Sequence, residues 1–107
     1  MTLFPKNTSL SSLQAYQKAI CKERGWDKAT VLETFLLFSE EVGELAKAIR
    51  YRENIYTEKG KAMQEEALAF EFADVFSYLL ELANQLEIDM EEAYRIKEKI
   101  NAERSWN

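Results

Sequence analysis

The stretch VLETFLLFSEEVGELAKAI, residues 31–49, decides the fold. Val31, Phe35, Phe38, Val42, Leu45 and Ile49 recur at intervals of 4, 3, 4, 3 and 4, the spacing of one face of an α-helix. Thr30 with Glu33 has the form of a capping box, so the helix is expected to start at about Thr30. Lys47, Arg50 and Arg52 suit a C-terminal end near Tyr51. A second seam, Leu68, Phe72, Val75, Leu79, Leu82 and Leu86, has the same spacing and predicts a helix from about Met63 to Leu86. Two shorter patterns flank this pair. Leu10, Leu13, Tyr16, Gln17 and Ile20 predict a helix from Ser9 to Glu23, with Ser11 and Gln14 as a capping box and Gly25 as a left-handed terminator. Met90, Ala93, Tyr94, Lys97 and Ile100 predict another from Asp89 to Glu103, opened by Asp89 with Glu92. Between about Arg52 and Lys61 there is no period and Gly60 breaks the chain, which reads as a loop. The ends, residues 1–8 and 105–107, are expected to be mobile.

Four helices with short links read as one all-α domain over residues 1–107, a four-helix bundle. Three Gly and one Pro are too few for the turns of an all-β fold. A chain this short leaves apolar surface uncovered, and Leu32, Leu36, Phe76 and Leu80 lie off the two seams. A homodimer or homotetramer is therefore expected.

Composition narrows the chemistry. Fourteen basic against nineteen acidic residues give a net charge of −5, which disfavours binding to a nucleic-acid polymer. Histidine is absent, so His-based acid–base catalysis, His-dependent triads and His-containing metal sites are excluded. Cys21 is the only cysteine, which rules out an internal disulfide and fits a reducing compartment. There is no apolar run long enough for a membrane span and no secretory apolar stretch in residues 1–10, so the cytoplasm is the expected location.

The candidate site lies in two acidic clusters, Glu40-Glu41-x-x-Glu44 and Glu71-x-x-Asp74. A rotation of about 100° per residue puts Glu41 and Glu44 on one flank of their seam and Glu71 with Asp74 on the same-handed flank of theirs. Glu40 lies further round toward solvent. Antiparallel packing of the two helices would bring four carboxylates over one groove. Such a set repels itself unless a cation neutralises it, and oxygen-only donors favour Mg²⁺ or Mn²⁺. Mg²⁺ commonly shares its shell with substrate phosphates, which points to a phosphorylated small molecule, a nucleotide above all. Either cluster alone reads more readily as a solvated helix face. Set against that, both flank an apolar seam, and without these five acids the remaining charges balance. Gly43 inside a helix costs roughly 1 kcal/mol relative to Ala, which a close approach by another helix or a ligand would explain.

These residues resemble the MazG-like branch of the all-α NTP pyrophosphatase superfamily. The similarity runs from Arg24-Gly25-Trp26-Asp27 through Ser39-Glu40-Glu41-Val42-Gly43-Glu44-Leu45-Ala46 to Ala73-Asp74-Val75. It continues along Tyr78-Leu79-Leu80 to Lys97, Asn101 and Arg104. The resemblance implies Mg²⁺-dependent hydrolysis of a nucleoside triphosphate to the monophosphate and pyrophosphate, by a dimer or a dimer of dimers. It implies Glu41, Glu44, Glu71 and Asp74 as metal ligands, with Glu40 orienting the attacking water or holding a second metal. It also implies Lys97, Asn101 and Arg104, on one face of the fourth helix, as phosphate or sugar contacts, and Trp26 as a ring that stacks on the base. Trp26 reads equally as a core anchor, and Lys97 with Arg104 as an ordinary basic face. Two other readings stand beside this one: a related dUTP or phosphoribosyl-ATP pyrophosphohydrolase, and a non-enzymatic helical oligomerisation module. A ferritin-like di-iron bundle is excluded because it needs His.

Overall fold

A computed structural model describes residues 1–59 and 65–106, and the side chains of residues 65 and 66 fall outside the description. The described residues form four α-helices and no strand: α1 (Leu10–Glu23), α2 (Val31–Arg52), α3 (Glu65–Gln85) and α4 (Met90–Ala102). The expected start of the third helix at Met63 lies outside the described residues, as do Gly60 and Lys61. None of the described helices is long and apolar enough to cross a membrane. The chain resolves into two compact units, residues 1–28 with 80–107, and residues 29–79.

In the first unit, α1 opens two residues earlier than the Ser11–Gln14 pair suggests. Ser9 is the N-cap, and its side chain accepts from the Ser12 N–H while the Ser12 hydroxyl accepts from the Ser9 N–H. Ser11 and Gln14 make other bonds. The Ser11 N–H donates to Glu91 on α4, 3.2 Å away. Gln14 is buried and holds the link between α3 and α4: its amide donates to the Ile88 carbonyl and its Oε1 accepts from the Met90 N–H at 3.0 Å. Asn84 of α3 donates back to the Gln14 carbonyl at 3.0 Å. Removing the Gln14 side chain strands two backbone groups, so Gln14→Ala should cost about 2 kcal/mol, read as a lower urea midpoint.

Three helix ends close in the same way. Gly25 takes φ +71°, the Trp26 N–H reaches the Cys21 carbonyl at 2.7 Å and the Gly25 N–H the Lys22 carbonyl at 3.2 Å. This is a Schellman pair. Asn54 (φ 57°) and Glu87 (φ 57°) repeat it at the ends of α2 and α3, with Ile55 and Ile88 donating to Arg50 and Ala83. The chain start is anchored rather than free. The Thr2 N–H donates to both oxygens of Glu23, at 3.1 and 3.2 Å, and Phe4 meets Tyr16 edge-on at 5.2 Å.

The buried apolar residues described in this unit are Ile20, Cys21, Leu80, Leu82 and Ala83. Leu80, expected on an unused face, is 3% exposed and belongs to this core. Glu81 packs beside Cys21. Burial raises its carboxyl above the usual range, and a hydrogen bond with the thiol partly offsets that rise. A folded-state pKa above the unfolded one means that the charged form costs stability, fully above the folded pKa and not at all below the unfolded one. Glu81→Gln should therefore raise the melting temperature at pH 7, and the gain should vanish near pH ~4.

In the second unit, Thr30 and Glu33 form the expected capping box at the start of α2. The inward face of the helix is displaced from the apolar seam. Thr34 and Ala48 are each 1% exposed, and Phe38, Glu41 and Leu45 are half-buried between them. Phe35, Val42 and Ile49, assigned to the seam by their spacing, are exposed. Leu32 and Leu36 are exposed too, as expected, so apolar residues cover far more of α2 than one face can bury.

Candidate metal and nucleotide site

The inward register of α2 carries Glu41 toward α3. There one carboxylate oxygen each from Glu41, Glu71 and Asp74 lies within 4.8 Å of the others. Glu41 and Glu71 are half-buried and Asp74 is exposed, so the cluster opens to solvent on one side. Glu71 and Asp74 sit three residues apart on α3, which puts both on one side of that helix. Burial, and then the negative charges of Asp74, Glu71, Glu40 and Glu44, push the Glu41 carboxyl above the usual carboxylate range.

Of the four expected ligands, three converge. Glu44 is exposed and stands outside the tight group, although its charge is felt at Glu41. Glu40 is exposed in the same way. The oxygen Oε2 of Glu71 is buried and has no hydrogen-bond partner among the described residues. A buried carboxylate oxygen with no donor is costly, and the like charges beside it add to the cost. A divalent cation would satisfy both. Oxygens sharing one octahedral Mg²⁺ at about 2.1 Å lie ~3.0 Å apart in cis pairs and ~4.2 Å in a trans pair, so oxygens up to 4.8 Å apart would have to close by up to about 2 Å, within reach of side-chain rotation. The donor set is all oxygen, as Mg²⁺ and Mn²⁺ prefer, and the residues present fit such an ion.

Gly43 is exposed, and a Cβ added there would meet nothing within 4 Å. No other part of the described chain makes the close approach that a glycine permits.

The expected nucleotide contacts belong to the other unit. Trp26 is 56% exposed, which argues against a core anchor, and the Arg24 guanidinium lies 4.9 Å over its ring. Lys97 is exposed and Asn101 half-buried, one turn apart on α4. Arg104 lies two residues beyond the helix. The helix ends at Ala102, and the Arg104 N–H turns back to the Asn101 carbonyl at 3.1 Å. That carbonyl also accepts from the Trp106 indole at 2.7 Å, which ties down a residue expected to be mobile. The sequence reading gave no role to Thr34, whose buried hydroxyl has no partner among the described residues. It lies two helical turns before Glu41 on the same line, and a lone threonine gives no signal of that in sequence.

Comparison with known proteins places this arrangement. Residues 29–105 match the MazG nucleotide pyrophosphohydrolase domain. YpjD of Bacillus subtilis (strain 168), itself an uncharacterized protein, is 41% identical over 66 residues, and the match covers 59% of this chain and 57% of that relative. This chain thus spans little more than half the length of the relative in that alignment. The crystal structure of YpjD, described as a candidate pyrophosphatase, matches with a TM-score of 0.75 and 26% identity over 91% of this chain and 99% of that one.

Proposed function

The chain belongs to the MazG nucleotide pyrophosphohydrolase family, and from that premise we propose that it hydrolyses a nucleoside or deoxynucleoside triphosphate to the monophosphate and pyrophosphate in the cytoplasm. The observation that carries this reading is the acid cluster: three carboxylates from two helices within 4.8 Å, one of them with a buried oxygen that lacks a partner. Glu41, Glu71 and Asp74 would hold Mg²⁺, with Mn²⁺ able to replace it, and Glu44 would complete the acidic set. Bound there, the ion supplies charge neutralisation for the phosphate oxygens. Glu40, exposed beside Glu41, is free to orient the attacking water and accept its proton. Trp26 offers a half-exposed ring for a base, and Lys97, Asn101 and Arg104 offer donors for phosphate or sugar.

The test is a panel of NTPs and dNTPs with Mg²⁺ and Mn²⁺, scored for pyrophosphate. Inclusion of dUTP and phosphoribosyl-ATP separates the related activities. Orthophosphate as the first product would refute the reading.

Self-association belongs to the same proposal. Leu32, Phe35, Leu36, Phe70 and Phe72 are each more than half exposed, and all lie on α2 or α3. A homodimer or homotetramer should appear in light scattering at micromolar concentration. A fully active monomer would contradict this.

A further inference from the structure

Resting on the reading above, we infer that a cavity lined by α1 and α3 takes the base of the nucleotide, that the base is guanine, and that Glu81 selects it. The cavity lies wholly within the first unit and measures about 200 Å³. Pockets that enclose drug-sized ligands run to roughly 300–1,000 Å³, so this one admits a single heterocycle and not a whole nucleotide. Lys18, Cys21 and Lys22 of α1, Asp27 beyond the Gly25 turn, and Glu81 and Asn84 of α3 line it. Two ammonium and two carboxylate groups leave these walls without net charge, which suits an uncharged polar ligand better than a free ion. Trp26, whose exposed ring is the stacking surface offered to a base, directly precedes Asp27.

Glu81 is the member of this lining whose needs are least met. It is half-buried, and its hydrogen-bond partner is the Cys21 thiol, which in turn takes the Gln17 amide at 3.2 Å. A thiol is a weak donor. No ion pair among the described residues involves Glu81. A carboxylate in that position gains most from a ligand that brings two strong donors at once. Guanine does so: its N1–H and N2–H lie side by side on one edge and match the two oxygens of one carboxylate. Its O6 and N7 lie side by side on another edge, and lysine ammonium groups such as those of Lys18 and Lys22 are suited to that pair. The other bases fit less well. Adenine and cytosine set a ring-nitrogen lone pair beside their amino group, and uracil and thymine flank N3–H with two carbonyls. An ionised Glu81 would meet a lone pair in each of them, so the same group that attracts guanine repels its competitors.

The probes are guanosine and inosine, titrated calorimetrically into the metal-free full chain. Neither carries phosphate, so the acid cluster does not enter the result. Inosine lacks the 2-amino group, and the parent should bind it about tenfold more weakly than guanosine. Glu81→Gln keeps the size of the side chain but offers one acceptor where the carboxylate offers two, so the gap between guanosine and inosine should close. Free arginine presents a similar pair of donors on a cation and should not bind, because Lys18 and Lys22 repel it. Beside this, pyrophosphate release is measured from GTP, ATP, CTP and UTP with Mg²⁺. GTP should give the highest kcat/KM, and Glu81→Gln should lower that value about tenfold, through KM, while leaving the other three unchanged. A purely structural role for Glu81 would move all four alike. Equal binding of guanosine and inosine by the parent would overturn the assignment, as would binding of arginine or an equal fall for all four triphosphates in Glu81→Gln. The two levels of the argument fail separately. If no triphosphate yields pyrophosphate, the functional reading fails and the nucleoside titration still decides what the cavity holds. If pyrophosphate is released and guanosine does not bind, the assignment of the cavity alone fails.

Discussion

Glu71→Gln is expected to cut pyrophosphate release by at least ~100-fold while leaving the metal-free protein as stable as before or more so. Glu71 carries the buried oxygen with no partner, and its charge lies against those of Glu41 and Asp74. Without metal, neutralising it removes repulsion from both neighbours and a buried charge with no compensating donor. With Mg²⁺, the same change removes a ligand, so the metal-induced rise in melting temperature should shrink. Glu41→Gln and Asp74→Asn should behave alike, because the three oxygens form one set. Glu44→Gln and Glu40→Gln should be milder, since both side chains are exposed and stand outside the group. The measurement is a melting curve for each variant with and without Mg²⁺, beside its rate. Lower metal-free stability with an unchanged Mg²⁺ response would mean that these acids are structural and the site lies elsewhere.

The order and extent of the helices were legible because their signals are local. A capping box at Thr30, a glycine at Gly25 and runs of apolar residues at 3–4 spacing each act within one or two turns. The inward face of α2 was not legible, and the reason is compositional. Leu32, Phe35, Leu36, Leu37, Phe38 and Val42 surround the helix, so an apolar line can be drawn in more than one register. The longest apolar line was not the buried one. The inward line passes through Thr34, Glu41 and Ala48, and two of its three members are polar, one of them part of the acid cluster. The acid pairs were visible because i,i+3 spacing fixes an angle. An angle does not fix a distance between two helices, so the absence of Glu44 from the tight group could not be read. The left-handed residues Asn54 and Glu87 were hidden for another reason: neither is glycine, and only the Schellman bonds around them reveal the conformation. At Gln14 a side chain reached across more than seventy positions for its partners, beyond any local pattern.

Removal of divalent metal is expected to abolish the activity, and the form of the loss tests the site more sharply than the loss alone. The chain has no histidine, and its single cysteine is buried with its thiol pushed up by burial and by Glu81. A thiol held in that state is a poor nucleophile. What remains is a set of carboxylates, and by themselves they repel a triphosphate. Chelation should therefore lower the rate by roughly 1000-fold or more, since a metal at developing phosphate charge supplies several kcal/mol. Added Mg²⁺ or Mn²⁺ should restore it fully, because the acids that would hold the ion lie on two helices formed by the chain itself. Zn²⁺ should restore it poorly, since no His or Cys stands in the cluster. In metal-free protein the melting temperature should fall only to the level that mutual repulsion sets, and Glu71→Gln should match or exceed it there. The measurement is pyrophosphate release after chelation and again after each metal is returned. Activity that survives chelation at an undiminished rate would remove the metal from the mechanism and leave this acid cluster without a catalytic role.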